Sequence, residues 1–145
     1  MIILIVVFFS VSVFGYSSKL EEKLFYNEGY FGTVFLYQAY LNIGMASDLW
    51  VKNIYTPKNA KVILRTIKNF LTSSEKNLKE LSDFSISLSD RNTLLQLMDI
   101  SKDLNKEVGF MLIYMDSRLK KDLEQYEKFR KQSWSKLKSL MGLKK

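Results

Sequence analysis

The 145-residue chain has no cysteine and no histidine, one proline and six glycines, and these absences exclude more chemistry than any motif proposes. Without cysteine there is no thiol nucleophile, no disulfide and no lipid attachment to an N-terminal cysteine. With histidine missing as well, Cys/His zinc sites, covalent c-type haem, the Glu-x-x-His di-iron site and Ser-His-Asp catalysis all go. The redox compartment stays open, because export and a reducing cytosol are both compatible with a cysteine-free chain. No Gly-rich phosphate loop, helix-turn-helix signature or aromatic RNA-binding strand motif occurs, so nucleic acid is not an expected partner. No metal or cofactor is expected either. So little proline and glycine favours long helices.

What is present is 47% hydrophobic and 26% charged residues, a composition that suits a packed domain rather than a disordered chain. The net charge of +7 is unevenly placed: Met1 to Asp116 carries 12 basic and 12 acidic residues, whereas Ser117 to Lys145 carries 10 basic and 3 acidic. The whole excess therefore sits in the last fifth of the chain.

Met1–Gly15, MIILIVVFFSVSVFG, is a short apolar run ending in small residues, as a secretory signal peptide does. Cleavage is expected after Gly15, with Val13 at the minus-three position, or after Ser17. Its n-region has no Lys or Arg, and a retained N-terminal anchor is the alternative reading. Removal leaves roughly 130 residues, 16–145, enough for one domain that buries about two thirds of its unfolded surface.

The rest is organised around Tyr30–Trp50, in which Asp48 is the only charged residue. A helix apolar all round is buried, shared with a second subunit or set in a membrane. At 100° per residue it divides into three strips. One is a tyrosine stripe of Tyr26, Tyr30, Thr33, Tyr37, Tyr40 and Gly44, expected at the boundary between core and solvent. A second, Leu20, Leu24, Asn27, Phe31, Val34, Gln38, Leu41, Met45 and Asp48, advances by fours and threes and is expected to be the bundle seam. The third, Phe25, Gly29, Gly32, Leu36, Ala39, Ile43 and Trp50, contains small residues that let another backbone come close. Tyr30–Ser47 has 18 uncharged residues, but its tyrosines, Thr33, Gln38 and Asn42 are costly in lipid, which disfavours a membrane span.

Helix 1 is expected from Ser17 or Ser18 to about Lys52. Thr56-Pro57 reads as an N-cap with proline at the first helical position. Helix 2 has Ala60, Leu64, Ile67, Leu71, Ser74, Leu78 and Leu81 at alternating spacings of four and three, with Lys61, Lys68, Lys76 and Lys79 outward. Asp83–Asp90 is a turn in which Ser87 and Asp90 have capping-box spacing, Ser89 being the alternative cap. Helix 3 repeats the pattern with Leu94, Leu97, Ser101, Leu104, Val108, Met111 and Met115. Asp116-Ser117 offers a cap for helix 4, although a continuous helix would also fit. Helix 4 is expected to bury Leu119, Leu123, Tyr126, Arg130, Trp134, Leu137 and Met141 and to stop at Gly142. Short connections make this an all-α, up-down-up-down four-helix bundle.

Three groups are candidates for chemistry. Asp99, Asp103 and Glu107 form an i, i+4, i+8 ladder that resembles a hard-cation site, but Lys102 and Lys106 sit among them and the ladder is expected to be a solvated face. Arg130 interrupts the helix 4 seam, level with Gln38 and Asn42 if helices 1 and 4 are antiparallel. With Tyr37, Tyr126 and Trp134 they form the candidate ligand-binding set, the other possibility being a structural network that fixes register. Lys120, Lys128, Lys131 and Lys138 are candidates for contact with an anionic surface. Nothing assembles a catalytic centre, so no enzyme is expected. The sequence points to an exported, periplasmic or secreted binding or structural module of the cell envelope. Its expected partners are an anionic envelope surface, another envelope protein, or a second copy through helix 1. A bundle that binds a small molecule or anion around Arg130 is the alternative.

Overall fold

In the computed structural model, which describes residues 18–83 and 87–143, four helices succeed one another and no strand occurs among the described residues. They are α1 (Ser18–Val51), α2 (Pro57–Ser82), α3 (Leu88–Ser117) and α4 (Lys120–Leu140), in the up-down-up-down bundle that the spacing predicts. The segment assigned above to a signal peptide lies outside the described residues. Among the described residues, no helix is long and apolar enough to cross a membrane.

The turns follow the local chemistry. Thr56 caps α2, its hydroxyl accepting from the Asn59 backbone N–H at 3.2 Å with Pro57 behind it. Ser87 caps α3, accepting from the Asp90 N–H at 3.1 Å and donating to Asp90 Oδ2 at 2.6 Å. The α3–α4 chain is broken, not continuous: Arg118 takes a left-handed conformation with φ 56° and closes α3. Ser117 serves the next helix by accepting from the Leu119 N–H at 3.1 Å and donating to Asp122 Oδ2 at 2.5 Å. Gly142, at φ 71°, ends α4.

The helices do not contribute equally. Helix α3 packs against each of the other three and most broadly against α2 and α4, whereas α1 meets the same number with less contact and α2 and α4 do not meet. The buried arc of α3 is correspondingly wide, from Leu94 and Leu97 through Ile100, Leu104, Val108 and Met111 to Met115. Helix α2 brings Ala60, Leu64 and Leu71 to the same core, and α4 brings Tyr126 and Leu137. Aromatic pairs close the margins, Phe35 on Phe70 at 4.4 Å and Trp50 on Tyr114 at 5.9 Å.

Two expectations are corrected. The seam of α1 is the strip of small residues: Leu36, Ala39, Ile43, Ala46 and Trp50 are buried, whereas Phe31, Val34, Leu41 and Met45 are exposed, as are Gln38 and Asp48. The reason is approach distance. At Gly32 an added Cβ would lie 3.0 Å from Leu97 Cδ1, so α1 settles on α3 more closely than large side chains would permit. On α4, Tyr126 and Leu137 are buried as expected, but Leu119 is only half covered, and Asp122 and Ser133, each one position before an expected seam residue, are buried instead, so the inner face of the helix is turned toward those positions.

These faces predict opposite mutational costs. Ile43→Ala should destabilise the fold by about 2–5 kcal/mol, the range for core truncations, whereas Met45→Ala should stay within about 0.5 kcal/mol. Urea unfolding at low protein concentration reads both. Equal costs at the two positions would contradict the assignment of faces.

Candidate functional site

The residue missed by the sequence reading is Glu107. It lies on α3 beside the Leu104 and Met111 line and is 0% exposed, although its ladder was expected to face solvent. Asp103, one turn earlier, is also buried. The correction has one cause: a helix with neighbours on three sides buries positions that would be solvated on a peripheral helix, and carboxylates caught there need cations.

Helix α4 supplies them. Arg130 Nη1 donates to Glu107 Oε1 at 3.0 Å. Lys136 Nζ donates to Asp103 Oδ2 at 2.6 Å and lies at the same distance from Asp99 Oδ2. The lysine ammonium thus occupies the place a cation would take between Asp99 and Asp103. Burial pulls the Lys136 pKa down, and its bonds and attraction to the two carboxylates more than reverse this.

Around Arg130 the fit is close. A Cβ at Gly44 would meet the guanidinium, so any larger residue at 44 would make the end of the Arg130 side chain shift. The guanidinium also lies over the Tyr40 ring, 4.5 Å from its centroid, and Tyr40 stacks on Trp134 at 5.5 Å. Burial raises the pKa of both Tyr40 and Tyr126, which keeps both phenols neutral. Ser133 is near enough to favour the charged carboxylate, yet closes no bond of ordinary geometry: Glu107 Oε2 and Ser133 Oγ are both buried without a partner. Burial, opposed by Arg130, pushes the Glu107 carboxyl up to about 7.

The candidate ligand-binding set is therefore divided. Arg130, Tyr126, Tyr37 and Trp134 do converge, with Tyr37 and Trp134 centroids 6.4 Å apart. Gln38 and Asn42 do not join them. Gln38 is exposed and spends its amide on Asn42 Oδ1 at 3.2 Å, and the partner of Arg130 is on α3 rather than on α1. Glu107 was detectable as a charge following Leu104 by three and preceding Met111 by four. Its complement, Arg130, was detectable as a charge interrupting a seam.

Three described clefts open on the surface. The largest, about 680 Å³, lies between the first half of α1, the start of α3 and the end of α4, where Tyr30, Thr33, Tyr37, Asp90, Thr93 and Met141 are among the lining residues. None of the three includes Arg130. Of the basic candidates, Lys120, Lys128 and Lys131 are exposed, and Lys138 is half-buried with its ammonium 6.0 Å from the Trp134 ring centre.

The remaining feature is the uncovered strip of α1. Phe31 is 67% exposed, Tyr30 62% and Met45 54%, with Val34 and Leu41 nearly half exposed. No protein family, curated protein or solved structure matches the chain.

The polar node generates a stability prediction. A carboxyl that titrates near 7 in the fold and near 4.5 in the unfolded chain gives the fold the larger number of bound protons between those values. Stability contributed by Glu107 is therefore full below pH 4.5 and falls as pH rises to about 7, by at most about 3.5 kcal/mol at 1.4 kcal/mol per unit. Glu107→Gln should remove this slope from the difference between the two proteins' unfolding curves. Arg130→Ala should cost about 3–5 kcal/mol at pH 8, where it strands a buried carboxylate, and less at pH 5. A pH-independent cost for Arg130→Ala would contradict the coupling.

Proposed function

We propose that the protein is an exported helical binding module of the cell envelope that works through the uncovered face of α1, without catalysis. The observation that carries this reading is the exposure of Tyr30, Phe31, Val34, Leu41 and Met45 along one helix, since a contiguous apolar patch on a folded surface marks an interaction site more often than an isolated exposed residue does. Export rests on the apolar run Met1–Gly15 and the small residues that end it. Anion binding at Arg130 is disfavoured because Glu107 already holds the guanidinium at 3.0 Å and none of the described clefts reaches it.

A photoreactive amino acid placed at Met45, and in a control protein at Asn69, an exposed position on α2, tests the reading in intact host cells. Adducts are expected from position 45 and not from position 69. Absence of adducts at 45 would overturn the reading. The same purified protein should lack its first 15 to 17 residues by intact mass, and a full-length cytosolic product would remove export from the account.

A second reading, weak attraction to anionic surfaces, is favoured by the placement of Lys120, Lys128 and Lys131 on the side of α4 away from buried Tyr126, Ser133 and Leu137. Each lysine contributes at most about 1 kcal/mol near an anionic bilayer, and the attraction fades within a Debye length. Replacing Lys120, Lys128, Lys131 and Lys138 by Gln should therefore abolish cosedimentation with anionic vesicles at low salt. Unchanged binding would contradict this reading.

A further inference from the structure

We propose that the uncovered face of α1 is covered by a second copy of this chain, the two α1 helices packing antiparallel about a two-fold axis between Gln38 and Leu41. The proposal rests on the reading that this face is the binding surface and names its partner.

Spacing is the first argument. Phe31, Val34, Gln38, Leu41, Met45 and Asp48 advance by three, four, three, four and three, the seven-residue repeat that sits knob-in-hole against another helix of the same repeat. All six are exposed, so the chain's own helices leave the repeat unpaired. A flat protein surface or a disordered peptide has no need of that period. A helix carrying the same period does, and every copy of the chain provides one.

Charge is the second argument. The chain carries +7 overall, so two copies repel wherever their lysines meet. Between Tyr30 and Ser47 there is no charged residue. This face is thus where copies approach without bringing like charges together, whereas an acidic partner would be drawn to the lysines of α2 or α4. Lipid is a poor occupant, because an interfacial helix flanks its apolar face with basic residues, and α1 has none between Phe25 and Val51.

Area is the third. Two aromatic rings of about 200 Å² each, about two-thirds exposed, together with three partly exposed aliphatic side chains, place roughly 500 Å² on each copy. A two-fold pair then covers about 1,000 Å², the lower limit for specific association, which implies a dimer that dissociates in the micromolar range.

The direction follows from Asp48. Parallel pairing would set Asp48 against its own copy and align both helix dipoles, each unfavourable. The antiparallel alignment sets Gln38 against Leu41, Val34 against Met45 and Phe31 against Asp48 of the other copy, which keeps the two Asp48 carboxylates apart, one at each end of the contact. An isologous contact of this kind closes at two copies.

Because the chain has no cysteine, single cysteines report the geometry without background. Sedimentation velocity of the protein isolated from its host should show monomer giving way to dimer between about 1 and 100 µM. Leu41→Glu with Met45→Glu should abolish the dimer while leaving helix content by circular dichroism unchanged. Under mild oxidation, a mixture of Val34→Cys and Met45→Cys proteins should form the mixed disulfide. Val34→Cys alone should not, since its copy lies about 16 Å away along the helix at 1.5 Å per residue, beyond the reach of a disulfide. A monomer throughout this range, a dimer indifferent to the two glutamates, or efficient self-crosslinking of Val34→Cys would each overturn the proposal. If the protein stays monomeric while position 45 still forms adducts with another protein or with lipid in cells, the binding face stands and its occupant is not a second copy.

Discussion

The structure depends on how closely α1 can approach α3. Gly32, Ala39 and Ala46 keep the contacting strip of α1 thin, and an added Cβ at Gly32 would already press on Leu97. Close approach sets α3 against α1 across the bundle while α3 packs broadly on α2 and α4. This packing in turn buries an arc of α3 wide enough to include Asp103 and Glu107. Their carboxylates then require Lys136 and Arg130 from α4. The thin strip on one helix therefore leads to the ion pairs between two others, and the large apolar side chains of α1 are left facing outward.

The Glu107–Arg130 pair is not a source of net stability. A buried ion pair recovers its desolvation cost only when every polar atom is satisfied, and Glu107 Oε2 and Ser133 Oγ are not. Its role is selective. The guanidinium lies over Tyr40 beside Gly44, and it meets Glu107 in this register of α4 on α3. Sliding α4 by a turn would strand both charges, so the pair disfavours alternative registers that a seam of interchangeable leucines would tolerate. This is how a network fixes register, the structural alternative for Arg130 that the sequence suggested, though with α3 rather than α1 as the partner.

Much of the architecture was legible in the sequence. Thr56-Pro57, Ser87 with Asp90, and Gly142 mark helix ends by local chemistry, which tertiary packing does not override. The leucine spacing of α2 and α3 fixed their inner faces. The inward face of α1 was not legible, because its two apolar strips share the same three-four spacing. Periodicity says that a helix has a face, and volume at the contact decides which one. The strip with larger side chains looked like the seam by hydrophobicity, and the strip with smaller ones became the seam by distance. Glu107 was misplaced for a related reason: solvation was judged from the wheel of one helix, whereas burial depends on how many neighbours surround it. Arg130 was correctly marked as anomalous, but a single chain of residues does not reveal which neighbouring helix answers it.

The packing and the proposed contact both depend on the orientation of α1, and thiol accessibility measures that directly in a chain with no cysteine of its own. Single cysteines at Val34, Leu36, Ala39, Leu41, Ile43 and Met45, reacted with a soluble thiol reagent at submicromolar protein concentration, should fall into two classes. Positions 34, 41 and 45 should react at rates close to those of the unfolded chain, and positions 36, 39 and 43 should be slowed by orders of magnitude, limited by opening of the fold. The reverse pattern, with 36, 39 and 43 fast and 34, 41 and 45 protected, would contradict the account.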